Sequence, residues 1–264
     1  MTPTVRALVR RPGPRLVDGL VTHISRQVVD TDLAARQWAN YVEVLSDAGW
    51  ETVEVPPADD CPDATFIEDT VVMFDDLAVA CRPGADQRRP EVAGTAAVVK
   101  SLGYRSRTIT APGTLDGGDV LKVDRTVYVG IGGRTNHAGA DELNRFVQPL
   151  GFRVVTVPTT KVLHLKSAVT ALSDGTVIGY PPLVDDPAIF ERFMAVPEEA
   201  GSHVVLLGGQ RLLMSSAAPR TADLLAGMGY EPIVVDISEF EKLEGCVTCL
   251  SVRLRASPDP PGVI

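Results

Sequence analysis

The chain has 264 residues, with 34 acidic and 25 basic side chains, a formal net charge of -9 and 45% hydrophobic residues. This composition supports a full hydrophobic core, and the acidic excess argues against nucleic acid as a partner, because binding to phosphates needs clustered positive charge. A cationic small molecule fits the charge better. No apolar run is long enough for a signal peptide or a membrane span, so we expect a cytoplasmic protein without a membrane partner. The four cysteines are expected to be reduced thiols: Cys61, Cys81, Cys246 and Cys249.

One phrase recurs along the chain: a helical stretch ends in Gly, and an aromatic residue then opens a β-rich run. Gly suits the left-handed backbone position just after a helix, and the β-branched residues that follow favour a strand. The copies are Gly49-Trp50, Gly103-Tyr104, Gly151-Phe152 and Gly229-Tyr230, with a degenerate copy at Arg192-Phe193 that lacks the Gly.

A second strand-like segment follows each of these runs, so the sequence predicts four or five mixed β/α units. Units of this size cannot bury their own apolar faces, and they must therefore pack against one another around a common axis. We expect one catalytic domain over residues 1–255 and a Pro-rich tail over residues 256–264. The alternative is an ordinary α/β sheet whose helices happen to end in Gly and an aromatic residue.

Polar residues lie at equivalent places in these following segments, which we expect to be strands. If the repeat is real, the side chains converge near the shared axis and form a site. They are Glu68, Asp69, Asp116, Asp119, His164 and Cys249.

Each of these residues also has a plain structural interpretation. Cys249 forms a CxxC motif with Cys246, and such a motif could be a redox pair or half of a zinc site. Taken alone, Cys249 could be a small buried apolar residue or a nucleophile. His164 could be a structural histidine or a general acid and base. The acids of Asp116-Gly117-Gly118-Asp119 could belong to a simple turn. The adjacent acids Glu68 and Asp69 lie in an apolar segment, so they are harder to explain without a function.

Six phrases, in this order and spacing, resemble the dimethylarginine dimethylaminohydrolase family: CPDATFIEDT, RPGADQRRPE, LDGGDV, GGRTN, VLHLKS and LEGCVTC. That family belongs to the guanidine-modifying superfamily. The resemblance implies an α/β fold, a five-bladed α/β propeller (pentein) of ββαβ modules around a pseudo-fivefold axis.

The resemblance also implies roles for particular residues. Cys249 corresponds to the nucleophile and His164 to the general acid and base. Asp116 corresponds to the carboxylate that orients His164, and Asp69 to the one that holds the guanidinium of the substrate. We also predict Glu68 as a substrate-binding residue.

The remaining implied residues recognise the amino-acid end of the substrate. Arg88 and Arg134 resemble the pair that grips the α-carboxylate, and Asp63 with the backbone carbonyl of Leu20 resembles the site for the α-amino group. Residues 15–20 would form a mobile lid. No metal and no cofactor are expected, and a homodimer is left open.

The implied reaction is hydrolysis of N-methylated arginines to citrulline through a covalent thiouronium on Cys249. Arginine deiminase is the nearest alternative, but its histidine phrase resembles His-x-Asp, and Lys166 stands at the position of that acid here. The second alternative is a non-catalytic pentein that binds a macromolecule.

Overall fold

The computed structural model describes residues 5–254, which form five three-stranded sheets. This arrangement agrees with the predicted five-bladed propeller of the α/β class. The predicted Pro-rich tail over residues 256–264 lies outside the described residues.

The strands and helices alternate along the chain. The strands are β1 (Arg6–Val9), β2 (Glu51–Glu54), β3 (Val71–Phe74), β4 (Leu77–Ala80), β5 (Arg105–Thr108), β6 (Val120–Val123), β7 (Thr126–Ile131), β8 (Arg153–Pro158), β9 (Val169–Ala171), β10 (Val177–Gly179), β11 (Phe193–Ala195), β12 (Val204–Gly208), β13 (Arg211–Ser215), β14 (Glu231–Val235) and β15 (Val252–Leu254). The α-helices are α1 (Thr31–Asp47), α2 (Glu91–Ser101), α3 (His137–Val147), α4 (Pro219–Gly227) and α5 (Ser238–Glu241).

Each sheet repeats one topology. Its first two strands pair antiparallel, and the third pairs parallel to the second, as in β3-β4-β5 and β6-β7-β8. The parallel return requires a crossover, which α1, α2, α3 and α4 provide in four modules. In the module of β9, β10 and β11, two short 3-10 helices replace the α-helix: Pro181–Leu183 and Pro187–Ile189. This replacement explains the degenerate phrase at Arg192-Phe193.

The ends of the described chain close the ring. Strand β15, the last one, pairs antiparallel with β1, the first one, and β1 pairs parallel with β2. The first module is therefore assembled from both ends of the chain, and no sheet is left incomplete.

The prediction for the glycines of the repeat is confirmed. All four adopt the left-handed conformation that residues with a Cβ rarely adopt, with φ of 90°, 89°, 82° and 90°. They are Gly49, Gly103, Gly151 and Gly229. Each turns the chain from a helical segment into the third strand of its module.

The inner strands surround an axial cavity of about 520 Å³, lined by residues of β3, β6, β9, β12 and β15. The segment before each inner strand is a tight turn, and four of these turns are 3-10 helices: Ile67–Thr70, Gly117–Asp119, Leu165–Ser167 and Ala200–Ser202. The predicted strand placement of the six polar residues is therefore wrong, because all of them precede the inner strands β3, β6, β9 and β15: Glu68, Asp69, Asp116, Asp119, His164 and Cys249. The expectation that they occupy equivalent places in the repeat is confirmed.

Within residues 5–254, no helix has the length and apolar character needed to cross a membrane.

Candidate active site

Seven of the nine predicted site residues line one narrow pocket, at the end of the axial cavity where the inner strands begin. They are Leu20, Asp63, Asp69, Arg88, Arg134, His164 and Cys249. Asp116 lies behind this wall and bonds to His164, whereas Glu68 lines the axial cavity instead. The turns that precede three different inner strands thus bring a thiol, an imidazole and a carboxylate together.

His164 is buried and held between carboxylates. Its Nε2 atom lies 3.0 Å from Oδ2 of Asp116, and its Nδ1 atom lies 3.7 Å from Oδ1 of Asp69. Burial alone would lower the pKa of His164, but Asp69, Asp119 and Asp116 outweigh it and raise the pKa to about 9. The imidazole therefore carries a proton at neutral pH and can act first as an acid.

Asp69 is an ionised carboxylate in a fixed position. Its Oδ2 atom accepts a hydrogen bond of 2.6 Å from Arg88, and its Oδ1 atom accepts the N–H of Gly118. Burial opposes ionisation, but His164, Arg88 and this N–H together hold the pKa of Asp69 well below its usual range. The wall of the pocket therefore presents a negative charge to a cationic ligand.

Asp119 has a structural role that the sequence pattern did not assign. Its carboxylate accepts the backbone N–H of Leu165 at 2.9 Å and the hydroxyl of Thr135 at 2.6 Å. It thereby fixes the 3-10 turn that follows His164. Burial raises the pKa of Asp119 to about 6. The second acid of the DGGD phrase was the available signal for this role.

The two predicted arginines differ in their partners. The guanidinium of Arg88 bonds to Asp69 and, at 2.8 Å, to Glu91, so two buried carboxylates already occupy it. The Nη1 atom of Arg134 is buried 3.6 Å from Asp116 and has no hydrogen-bond partner among residues 5–254. Arg134 therefore has a donor ready for a ligand, whereas the contacts of Arg88 position Asp69.

Asp63 and Leu20, the two residues predicted for an α-amino group, are in contact with each other. The backbone N–H of Leu20 donates to both oxygens of Asp63, at 3.0 and 3.2 Å. Burial raises the pKa of Asp63. The contact places the two residues side by side, and the bond between the carbonyl of Leu20 and a substrate ammonium stays a prediction.

Cys249 lies in the turn before β15, with its side chain buried. Its Sγ atom lies 3.3 Å from Sγ of Cys246, and its backbone carbonyl accepts the N–H of Glu68 at 3.2 Å. The bond with Cys246 and burial both raise the pKa of Cys249. A neighbouring cation is needed before this thiol ionises.

Asp69, Asp116 and His164 also have ligand atoms that lie within 4.8 Å of one another, a spacing that could hold a metal ion. The donor set does not favour one. Asp69 is paired with Arg88, Asp116 is paired with His164, and the raised pKa of His164 opposes metal binding through its nitrogen.

Comparison with known proteins agrees with this geometry. A family model described as arginine deiminase matches residues 57–207. The N(G),N(G)-dimethylarginine dimethylaminohydrolase of Streptomyces coelicolor is 63% identical over 253 residues, which cover 96% of this chain and 98% of that protein. The chain belongs to the dimethylarginine dimethylaminohydrolase family.

More distant proteins share its fold. The enzyme of the same name from Pseudomonas aeruginosa is 32% identical, with 93% of this chain and 98% of that protein covered. A structure of the Pseudomonas aeruginosa protein in complex with citrulline superimposes with a TM-score of 0.88 and 30% identity, over 96% of this chain and all of that one. The N-terminal domain of ArgZ, an arginine dihydrolase, has a TM-score of 0.84 at 19% identity, which shows the shared fold alone.

In this member of the dimethylarginine dimethylaminohydrolase family, the predicted substrate-binding role of Glu68 needs correction. Its carboxylate bonds to Lys166 at 2.6 Å, to Arg253 at 2.9 Å and to the hydroxyl of Thr248. These partners belong to other modules and line the axial cavity with it. In a 3-10 helix adjacent residues point about 120° apart, so Asp69 faces the pocket and Glu68 faces away from it.

Proposed function

We propose that this chain hydrolyses N-methylated arginines to citrulline and the corresponding methylamine, with Cys249 as the nucleophile and His164 as the general acid. The observation that carries the proposal is the convergence of Cys249, His164 and Asp69 on one pocket, in a chain 63% identical to a dimethylarginine dimethylaminohydrolase. The whole of residues 1–255 would serve as one catalytic domain.

The pocket fits a guanidinium ion. Asp69 supplies a carboxylate whose position is fixed by two hydrogen bonds, and Asp116 supplies a second one next to His164. Charge-assisted hydrogen bonds from the guanidinium to these acids hold its plane against the sulfur of Cys249. The cation also stabilises the thiolate, so the ionised fraction of Cys249 rises only when substrate is present.

The proton on His164 supports its proposed role as the acid. Attack of the thiolate on the guanidinium carbon forms a carbon–sulfur bond, and the departing methylamine must receive a proton because amine nitrogen leaves poorly as an anion. His164 holds that proton, since its pKa is raised to about 9. The neutral imidazole that remains then takes a proton from the water that cleaves the thiouronium.

Arg134 and Asp63 support recognition of the amino-acid end. The Nη1 donor of Arg134, which makes no hydrogen bond among residues 5–254, suits the α-carboxylate, and the carboxylate of Asp63 suits the α-ammonium. An ammonium near Asp63 would offset the burial that raises the pKa of this acid. Arg88 contributes by holding Asp69, and its direct contact with substrate has no support from its bonding pattern.

Substrate entry requires the pocket to open. The space among the lining residues is about 20 Å³, which is room for little more than one water molecule. Leu20 closes one side, and the segment around it is held by a bond from Arg26 to the carbonyl of Gly19. We propose residues 15–20 as the lid that moves, since the opposite walls are buried turns of the propeller.

The deciding experiment compares citrulline release from asymmetric dimethylarginine, monomethylarginine and arginine, with Cys249→Ser as the inactive control. We expect both methylated substrates to be hydrolysed and arginine to be turned over far more slowly. Lys166 supports this preference, because the acid expected of a deiminase is replaced by a cation that bonds to Glu68. Turnover of arginine at an equal or higher rate would overturn the proposal in favour of a deiminase.

A non-catalytic binding protein is distinguished by the reactivity of its thiols. Cys249, Cys61 and Cys81 are all buried, but Cys249 lines the pocket, so we expect iodoacetamide to label it faster than the other two and an arginine analogue to protect it. Equal labelling without protection would favour the binding protein.

A cytoplasmic location and a homodimer stay predictions. Cell fractionation tests the location, and light scattering tests the oligomeric state.

A further inference from the structure

The feature that the proposed reaction leaves unused is the second thiol of the CxxC motif. The sulfurs of Cys246 and Cys249 are 3.3 Å apart and unoxidised, and the backbone N–H of Cys246 also approaches the Cys249 sulfur at 3.5 Å. Both side chains are buried, with exposed fractions of 3% and 7%. A hydrogen bond between two buried sulfurs at this distance allows a proton to move from one to the other.

The thiol of Cys249 must lose its proton before it attacks, and the usual acceptor is already occupied. His164 carries a proton of its own, bonded to Asp116 at 3.0 Å. Asp69 is a poor proton acceptor, because its bonds with Arg88 and Gly118 lower the pKa of its carboxyl group. The Cys246 sulfur is therefore the hydrogen-bond partner of the Cys249 sulfur that is free to accept a proton.

Cys246 can be accommodated in either protonation state. When it is a thiolate, it accepts the S–H of Cys249. When it is a thiol, it can donate to Oγ1 of Thr248 at 3.2 Å, because the hydroxyl hydrogen of Thr248 is donated to Glu68 at 2.9 Å. Both arrangements satisfy every buried hydrogen-bonding atom of the group.

The surroundings of Cys246 favour its ionisation, mainly through a hydrogen bond. The hydrogen bond from Cys249 is the largest cause, His203 and Thr248 act in the same direction, and burial and Glu68 oppose them. Together they lower the pKa of Cys246 to about 5. Glu241 also faces this group. The pair therefore holds one proton and one negative charge at neutral pH.

We propose that Cys246 is the base that accepts the thiol proton of Cys249 when a cationic substrate enters the pocket. The S–H bond of Cys249 breaks, an S–H bond forms on Cys246, and the negative charge moves from Cys246 to Cys249. The transfer exchanges no proton with solvent, and His164 keeps its proton for the departing amine. When the neutral ureido product has left, the charge returns to Cys246.

This inference rests on the proposed hydrolase function for its kinetic consequence, but the shared proton can be measured without substrate. The thiolate absorbance of the folded protein is titrated from about pH 4 to pH 8. We expect the wild type to form one thiolate below pH 7, and we expect Cys246→Ser and Cys249→Ser each to abolish it. Cys61→Ser and Cys81→Ser are matched controls that retain it, because burial raises the pKa of both thiols. A thiolate that survives in either site variant, or none in the wild type, overturns the proposal whatever the protein hydrolyses.

The kinetic test is the pH dependence of kcat/KM for asymmetric dimethylarginine in the wild type and in Cys246→Ser. Transfer within the pair does not depend on pH, so the wild-type value should stay level between about pH 6 and pH 8. In the variant the proton must leave for solvent, so kcat/KM should fall about tenfold for each pH unit below the pKa of Cys249. At about pH 6 we expect a deficit of about 10² to 10³, which narrows as the pH rises.

A merely structural role for Cys246 would lower kcat/KM by one factor at every pH, and that result would overturn the proposal. Thr248→Val provides a second variant, in which the acceptor for the Cys246 S–H is lost. We expect a loss of about fivefold, corresponding to one hydrogen bond. Thr221→Val is the matched control, because Thr221 is a buried threonine that donates to Glu198 at 3.0 Å in another module. If the titration succeeds but no methylated arginine is hydrolysed, the proposed function fails and the shared proton stands.

Discussion

The backbone N–H of Gly118 donates to Oδ1 of Asp69 at 2.7 Å, and no space remains for a side chain at this point. A Cβ on Gly118 would lie 2.7 Å from Oδ1 of Asp69 and 2.7 Å from Nδ1 of His164. We therefore expect Gly118→Ala to displace both groups and to lower kcat/KM for asymmetric dimethylarginine by at least about 10². Gly227→Ala is the matched control, since its Cβ would have no neighbour within 4 Å. A Gly118→Ala enzyme with wild-type kinetics would contradict the geometry proposed for the guanidinium.

The negative charge of Asp116 stabilises the protonated form of His164. Asp116→Asn keeps the size of the side chain but removes the negative charge, and this should lower the pKa of His164. Loss of kcat at high pH, where the imidazole becomes neutral, should begin at a lower pH than in the wild type. We expect kcat at neutral pH to fall about tenfold. The pH profile of kcat for both proteins tests this, and an unshifted high-pH limb would exclude His164 as the acid that Asp116 supports.

His164 should also make the stability of the protein depend on pH. Its pKa rises from 6.5 to about 9 on folding, so its stabilising contribution is complete below pH 6.5 and is lost as the pH rises through about 9. The shift corresponds to about 3 kcal/mol. Urea unfolding near pH 6 and above about pH 9 should show the wild type losing this amount relative to His164→Gln. The same difference between the two proteins at both pH values would contradict the expectation.

Arg134 is expected to act in binding alone. Its Nη1 atom has no hydrogen-bond partner among residues 5–254 and makes only a long ion pair of 3.6 Å with Asp116, so it suits a carboxylate that is bound equally in the ground state and in the transition state. Arg134→Ala should therefore raise KM by about 10² with kcat nearly unchanged. Steady-state kinetics with asymmetric dimethylarginine test this, and agmatine-like substrates that lack the carboxylate should discriminate little between the two proteins. A fall in kcat with constant KM would place Arg134 at the reacting end instead.

Arg88 is expected to act on stability as well as activity. Its guanidinium is buried between Asp69 and Glu91, and its removal leaves two carboxylates without their cation. We expect Arg88→Met to lower the free energy of unfolding by about 3–5 kcal/mol, the usual cost of breaking a buried ion pair. Arg89→Met is the matched control, because the ion pair of Arg89 with Asp86 is largely exposed. Chemical denaturation of both variants measures the difference, and equal stabilities would refute the assigned role of Arg88.

The repeat could be predicted from local chemistry. A helix that ends in Gly followed by an aromatic residue and a β-branched run specifies each crossover, because the left-handed position at Gly49 and its three counterparts is costly for any other residue. The convergence of the acids, the imidazole and the thiol could also be predicted, because equivalent turns in a closed repeat face one axis. These features depend on neighbours in sequence, so a single chain reveals them.

The direction of the individual side chains was decided by contacts between distant segments. Glu68 and Asp69 are adjacent, and partners from other modules, Lys166, Arg253 and Thr248, determine which acid turns toward the axial cavity. The start of β15 is likewise determined by its pairing with β1 at the other end of the chain, which leaves Cys249 in the preceding turn. Strand propensity could not locate that boundary, because a ladder begins where a partner is available and not where β-branched residues begin.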